Sequence, residues 1–453
     1  MKLTLHEIAR VVEAQNSVSE FDDVPLKNIE FDSRKITPGD FFLPLKGQRD
    51  GHDFIAQAFE KGAAATFSEK PVPGHPYILV EDCLKAFQQL ASYYLERKRV
   101  DVIAVTGSNG KTSTKDMIAS ILATTYKTYQ TQGNYNNEIG LPYTIMHMPA
   151  ETEKIVLEMG QDRMGDIHLL SEIAKPHIAV VTLIGEAHLE FFGSRERIAQ
   201  GKMQITDGMD SHGILIAPED PIIDPYLPEN QMVIRFGADQ EIFVETIQEA
   251  KDSLIFKTNI LPRPVHLPLT GKYNATNAMV ASYVGKLLAV ADEDIIDALE
   301  HIQLTKNRTE WKYTSNGVSI LSDIYNANPT AMRLILETFT KIEPAGQGRK
   351  IALLADMKEL GTDSIAMHSQ LITSLEPDHL DYLICYGSDI SELAQLASQL
   401  FPLGHVYYFK KTAEEDQFRE MMACLEHLLQ ADDHLLLKGS HSMQLERILE
   451  QLL

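Results

Sequence analysis

The stretch Val102–Thr114, Val-Ile-Ala-Val-Thr-Gly-Ser-Asn-Gly-Lys-Thr-Ser-Thr, limits the folds open to this chain more than any other. Val102 to Val105 is an apolar, β-rich run of the kind buried in a sheet. Gly107, Ser108, Asn109 and Gly110 make a tight loop that larger side chains would obstruct. From Lys111 the spacing turns helical, with Met117, Ile118, Ile121 and Leu122 on one face. A strand, a glycine loop and a helix N-terminus form an anion cradle: backbone N–H groups converge on a phosphate, and the helix dipole favours negative charge there. Lys111 is placed to reach the terminal phosphates and the Thr112 hydroxyl to ligate Mg²⁺, with Ser113 in the same turn. The strict phosphate-loop pattern has a glycine where this chain has Val105. The flanking strand and helix therefore carry the reading, against the alternative of an ordinary strand-to-helix turn.

A chain of 453 residues exceeds one ordinary core, and two to four domains are expected. With 44% hydrophobic and 23% charged residues it has the composition of a soluble globular protein. No apolar run is long enough to span a bilayer, and no apolar signal segment follows Met1-Lys2, so no membrane insertion is expected. Cys83, Cys385 and Cys424 lie far apart without metal-ligand spacing and read as reduced structural thiols of a cytoplasmic protein. The net charge of −23 argues against a nucleic-acid partner. Residues 1–99 hold 13 Lys+Arg and 15 Asp+Glu, a net of −2 that leaves −21 for the rest. That near-neutral part accepts an anionic ligand more easily.

The form Thr-Gly-Ser-Asn-Gly-Lys-Thr resembles the loop of the Mur ligases, the ATP-dependent amide ligases of peptidoglycan precursor synthesis. Ser108 stands where many members carry Thr, a small change because backbone amides do the cradling. The loop alone also fits the folylpolyglutamate synthetases, so other segments must separate the two.

Upstream, Leu5, Ile8, Ala9 and Val12 mark an amphipathic helix. Phe31-Asp-Ser-Arg34 and Gly47-Gln-Arg-Asp-Gly-His-Asp-Phe54 follow. On chemistry alone Ser33, Arg34 and Arg49 could hold a diphosphate, with Gly47 and Gly51 allowing close backbone approach; a pair of turns with solvated charges is the alternative. Their order and spacing resemble the uridine-nucleotide domain of two Mur ligases, those adding the third residue and the terminal dipeptide.

Downstream, Asn134, Asn136 and Asn137 lie in a glycine-flanked loop suited to a polar ligand. The resemblance turns Asn136 and Asn137 toward the peptide end of the nucleotide substrate. Ile155–Glu158 is a short strand ending in a carboxylate, the place from which an acidic residue supports Mg²⁺ in many ATPases. Ile178–Ile184 reads as an apolar strand leading to His188, which the resemblance gives to a second Mg²⁺. Lys202 matches a lysine carbamylated in several Mur ligases; a carbamate would turn a cation into a metal-supporting anion, and an unmodified surface lysine is the alternative. Residues 213–270 read as β-rich. A helix then begins near Gly271, with Asn274 and Asn277 on one side of its first turn and Met279, Val280, Tyr283, Val284 and Leu287 as its buried stripe. The resemblance places Asn274 and Asn277 beside the nucleotide and Arg308 near the ATP phosphates.

Residues 314–453 alternate strands and helices as in a parallel sheet. Within Ile320–Thr330, Asn328 can cap a helix with Pro329 at its first position and Ala331, Leu334, Ile335, Phe339 and Ile342 as its apolar stripe. The segment Asp323-Ile-Tyr-Asn-Ala-Asn-Pro329 resembles the branch of the family that adds D-alanyl-D-alanine. That resemblance gives Asp323 to the ribose of ATP, Asn326 to the nucleotide or the incoming amine, and Tyr325 and Asn328 to substrate. Asp356–Gly361 and Lys438-Gly-Ser440 agree with that branch.

The resemblance covers essentially the whole chain and implies an α/β protein of three domains. These are a small N-terminal α/β uridine-nucleotide domain (1–99), a central P-loop ATPase-type α/β domain with a mostly parallel sheet (100–313), and a C-terminal Rossmann-like α/β domain (314–453). It implies a cytoplasmic, monomeric enzyme using ATP and Mg²⁺ to join D-alanyl-D-alanine to UDP-N-acetylmuramoyl-tripeptide through an acyl phosphate. Lys111, Glu158, His188 and Lys202 would be its catalytic set, and Thr112, Glu158, His188 and carbamylated Lys202 its metal ligands. A sister ligase adding a single amino acid and a nucleotide-switched binding protein are the alternatives.

Overall fold

The computed structural model describes residues 3–305 and 309–453, which form four sheets. The first has four parallel strands in the order Ile29–Glu30, Phe41–Phe42, Ala65–Ser68, Tyr77–Leu79. The helix Leu5–Val11 starts where the Thr4 hydroxyl accepts the Glu7 N–H, and it buries Leu5, Ile8 and Ala9 as its periodicity predicts. The helix Cys83–Lys98 is capped by Asp82, which accepts from the Leu84 and Lys85 amides, and it ends at Arg99 in the left-handed conformation.

The second sheet holds the phosphate loop. Its six parallel strands run in the order Met232–Phe236, Ile214–Pro218, Ile178–Val181, Asp101–Thr106, Lys154–Glu158, Thr128–Gln130. Asp101–Thr106 comes first in the chain yet lies inside the sheet, so the strands after it are laid down on both its sides. Such a reversal opens a crevice at the carboxyl ends of the strands, where ligands of open α/β sheets bind. The expected strand Ile178–Ile184 ends instead at Val181. Beyond it the backbone serves the loop: the Thr182 hydroxyl donates to Asn109 O at 2.6 Å, and the Ser108 N–H donates to Leu183 O at 2.6 Å.

A three-stranded antiparallel sheet, Val244–Glu249, Leu254–Thr258 and Val265–Leu267, accounts for the rest of the β-rich region. The fourth sheet has the order Glu310–Tyr313, Ser319–Asp323, His434–Lys438, Lys350–Ala355, Tyr382–Tyr386, Val406–Phe409. All its pairs are parallel except the first, which is antiparallel. This sheet therefore begins at Glu310, ahead of the boundary expected at 314. The helix Pro329–Lys341 starts as predicted, with the Asn328 side chain accepting from Ala331 N and Pro329 at its first position. Its buried face is Met332, Ile335, Leu336 and Phe339; Ala331 and Leu334, expected in the core, are half-buried and line the cleft described below.

One apolar core is continuous from Leu3 through the helix Cys83–Lys98 to one face of the phosphate-loop sheet, as far as Ile223. The last sheet has two clusters of its own, one on each face. Among the described residues no helix is long and apolar enough to cross a membrane.

Candidate active site

Two glycines shape the loop. Gly107 has φ 150°, and a Cβ on it would fall 2.0 Å from the Thr182 hydroxyl oxygen. Gly110, at φ 83°, caps the helix Lys111–Ala123, and a Cβ there would meet Asn277 Oδ1 at 2.9 Å. Only glycine fits either position without strain. The Lys111 ammonium folds back to donate to Gly107 O at 2.9 Å. Behind the loop, buried Thr112 donates to Glu158 Oε2 at 2.7 Å, and the Asn136 amide donates to Oε1 at 2.8 Å. Both carboxylate oxygens of Glu158 are thus oriented from two elements.

A cavity of about 300 Å³ opens over this floor. Ser108, Asn109, Gly110, Lys111 and Ser113 line it with Asn134, Asn136, Glu158, His188, Lys202 and Asn277, and Asp323, Tyr325 and Asn326 close it from the last sheet. The structure thus gathers in one cleft most of the nucleotide and catalytic residues read from the sequence. Lys202, on the helix Arg195–Met203, is buried, and that burial, with the Lys111 charge nearby, holds its amine well below the usual lysine range. Asp162 and Glu158 oppose the shift. His188 adopts a left-handed φ of 62°, uncommon for a residue with a Cβ. Its Nδ1 lies 2.7 Å from Glu359 Oε2, a contact angled short of a well-formed hydrogen bond, and the imidazole lowers the Glu359 carboxyl. Asp323 Oδ2 pairs with the buried Lys438 ammonium at 2.8 Å, and Lys438 also donates to Asn326 O.

Other expected residues stand around the cleft. Asn274 is buried and donates to Thr270 O at 2.8 Å, while its Oδ1 accepts from the Asn277 amide at 3.3 Å, so it positions Asn277. Asn137 Oδ1 accepts the Gly140 N–H at 2.8 Å and holds the start of the helix Gly140–His147. Asn328 bonds Asn109. Arg308 lies outside the described residues.

Ser33, Arg34, Gly47 and Arg49 stand apart from the phosphate-loop cleft. Ser33 donates to Gln57 Oε1 at 2.7 Å; Arg34 is 80% exposed, forking onto Asp32 with two bonds of 2.9 Å; Arg49 and Gly47 are exposed. An aromatic bridge connects the two regions. Phe31 packs edge-on to Tyr143 with centroids 5.2 Å apart, and Tyr143 lies 5.3 Å from Tyr135 in the asparagine loop.

Sequence reasoning missed Gln161, Asp162 and Tyr273 in the lining. Gln161 and Asp162 lie three and four residues beyond the strand ending at Glu158, and the rule that ligands meet the carboxyl ends of parallel strands would have found them.

Family models match in order along the chain: Mur ligase family, catalytic domain, over residues 25–94; Mur ligase middle domain over 105–285; and Mur ligase, glutamate ligase domain, over 307–441. The chain is 35% identical over 459 residues to the UDP-N-acetylmuramoyl-tripeptide–D-alanyl-D-alanine ligase of Bacillus subtilis (strain 168), covering 100% of this chain and 99% of that protein. The chain belongs to the Mur ligase family. Among solved structures this Mur ligase superposes on MurF from Acinetobacter baumannii with a TM-score of 0.90 at 30% identity, covering 100% and 99% of the two chains. It also matches MurF ligase from Thermotoga maritima in complex with ADP, with a TM-score of 0.83 at 29% identity and coverage of 94% and 97%. The three-domain α/β architecture expected from the motifs is that of the family.

Proposed function

We propose that this Mur ligase couples ATP hydrolysis to amide formation between UDP-N-acetylmuramoyl-tripeptide and D-alanyl-D-alanine, giving the pentapeptide, ADP and phosphate. The observation that carries this reading is the convergence of Lys111, Glu158 and Lys202 with Asp323 and Asn326 in one cleft, on a chain similar along its whole length to ligases of that name. The chain works as three domains, with the last boundary moved from the expected 314 to 310 because the edge strand Glu310–Tyr313 pairs into the last sheet.

A peptide carboxylate acylates poorly because its leaving group would be oxide. Attack of that carboxylate on the γ-phosphate makes an acyl phosphate, which the dipeptide amine opens through a tetrahedral intermediate, expelling phosphate. Backbone amides of Ser108–Ser113, the helix N-terminus and Lys111 face the charge gathering on the transferred phosphoryl group. Asn277 and Asp323 hold the nucleoside, and Asn134 and Asn136 hold the peptide. Ser33, Arg34, Gly47 and Arg49 receive the uridine diphosphate, with Arg34 turning from Asp32 to do so. Arg308 joins the phosphates, and Tyr325 and Asn326 meet the dipeptide.

Thr112, Glu158 and His188 form an oxygen- and nitrogen-rich set fit for Mg²⁺, with both Glu158 oxygens already oriented. When bound, Mg²⁺ neutralises phosphate charge. Carbamylation of buried Lys202 would add an anionic ligand, and the neutral amine that burial favours is the form that reacts with CO₂. The enzyme acts as a cytoplasmic monomer without nucleic acid.

The test is phosphate release from Mg²⁺-ATP and UDP-N-acetylmuramoyl-tripeptide, with and without D-alanyl-D-alanine, followed by mass spectrometry of the product. Release that needs both substrates and yields pentapeptide supports the proposal. A response to single amino acids in place of the dipeptide moves the chain to a sister branch, and slow hydrolysis indifferent to all of them makes it a nucleotide switch.

A further inference from the structure

We propose that His52, Glu69 and Cys83 form a site for one thiophilic divalent cation, Zn²⁺ above all, in the N-terminal domain and separate from the phosphate-loop cleft. By sequence alone Cys83 reads as an isolated structural thiol. The fold instead gathers side chains from three separate elements: the turn Gly51–Phe54, the residue after the strand Ala65–Ser68, and the first residue of the helix Cys83–Lys98.

One ligand atom from each residue lies within 4.8 Å of the other two. Cys83 Sγ and His52 Nε2 are 3.8 Å apart. Tetrahedral zinc, with bonds of about 2.3 Å to sulfur and about 2.05 Å to nitrogen, would set these atoms about 3.6 Å apart. A mixed nitrogen, oxygen and sulfur set suits zinc and does not suit Mg²⁺ or Ca²⁺. The second nitrogen of His52 supplies an independent observation. Nδ1 lies 2.6 Å from Asp50 Oδ1, the carboxylate–imidazole pairing that orients metal-bound histidines and leaves Nε2 unprotonated toward the cluster. His52 and Cys83 are buried and Glu69 is half-buried, so water can complete the coordination from the Glu69 side.

Without an ion these groups bond one another. The Glu69 N–H donates to Nε2 at 3.1 Å, the Cys83 N–H reaches Glu69 Oε1 at 3.4 Å, and the exposed Lys46 ammonium pairs with Oε2. An incoming cation takes the Nε2 lone pair and displaces Lys46 into solvent. The Cys83 thiol, which burial pushes up to about 12, gives its proton to solvent and becomes a thiolate paired with the cation.

The full-length protein, stripped with a chelator and dialysed, would be titrated with Co²⁺ as a spectroscopic probe and then with Zn²⁺. The expected result is a thiolate-to-cobalt charge-transfer band with tetrahedral d–d absorption, saturating at one equivalent and abolished by Zn²⁺. Cobalt in the phosphate-loop cleft gives no such band, because no cysteine lines that cleft. C83S should remove the band while C424S leaves it intact. E69Q and D50N should each weaken Zn²⁺ binding at least about tenfold. C83S is nearly isosteric, and an unchanged circular-dichroism melt would show that its loss is one of ligation. Absence of the band in the wild-type protein, or a C83S protein that binds like wild type, would overturn the proposal.

Discussion

Asn109 and Asn328, 219 residues apart, join their side-chain amides in both directions: Asn109 Nδ2 donates to Asn328 Oδ1 at 3.2 Å, and Asn328 Nδ2 donates to Asn109 Oδ1 at 2.9 Å. One residue belongs to the phosphate loop and the other caps the helix Pro329–Lys341. The loop proposed to face ATP is therefore tied directly to the domain proposed to bring the amine.

If this pair reports ATP binding to the last domain, N109A and N328A should each lower kcat/KM, and the double variant should fall by less than the sum. A double-mutant cycle should give a coupling of about 0.5–1.5 kcal/mol. N328A should also cost about 1 kcal/mol of stability through its lost cap, a loss that N109A does not share. Strict additivity in kcat/KM would mean that the pair is only a packing contact.

K111A should fold normally, because the Lys111–Gly107 O bond lies within the loop itself, and should lose about 10²–10³-fold in kcat. Steady-state kinetics alongside circular dichroism checks this. A folded variant with near-normal turnover would remove Lys111 from the chemistry.

If Lys202 is carbamylated as proposed, turnover should depend on dissolved CO₂. Activity should fall in decarbonated buffer and return with bicarbonate, and ¹³C-bicarbonate should give a carbamate carbon signal that K202A lacks. Activity indifferent to CO₂ would leave Lys202 as a buried amine.

His434 begins a strand of the last sheet, packed 5.0 Å from the Trp311 ring, and burial beside Lys251 and Lys350 lowers its pKa from 6.5 to about 4. The unfolded chain binds the proton first as pH falls, so stability is complete above about 6.5 and is lost progressively down to about 4. H434Q should flatten that acid limb by on the order of 2 kcal/mol, as read from urea denaturation at several pH values. An unchanged limb would assign the loss to other groups.

The phosphate loop, the helix cap at Asn328 and the parallel strands of the last sheet were legible because each is set by local rules: glycine conformation, capping geometry and apolar runs. What stayed hidden depends on contacts between distant segments. Asn274 and Asn277 look equivalent on their helix, yet only Asn277 faces the cleft, because Thr270 O claims Asn274. Ala331 and Leu334 fit an apolar stripe by spacing, but their side of the helix lines the cleft. Cys83 carries no motif, and only the fold sets it beside His52.

The apolar core that runs unbroken from Leu3 to Ile223 has a thermodynamic consequence. Surface shared between the first two sheets cannot be exposed on one side alone, so residues 3–305 should unfold as one cooperative block. The links from that block to the last domain are largely polar, among them Asn109 to Asn328, His188 to Glu359, Glu186 to Thr330 and Arg333, and Trp311 Nε1 to Lys251 O, while the half-buried Met367 adds an apolar contact to the shared core. Water can replace hydrogen bonds of this kind far more readily than it replaces buried apolar contact. Calorimetry should therefore resolve two endotherms where the sequence reads as three domains, and ATP should draw them together.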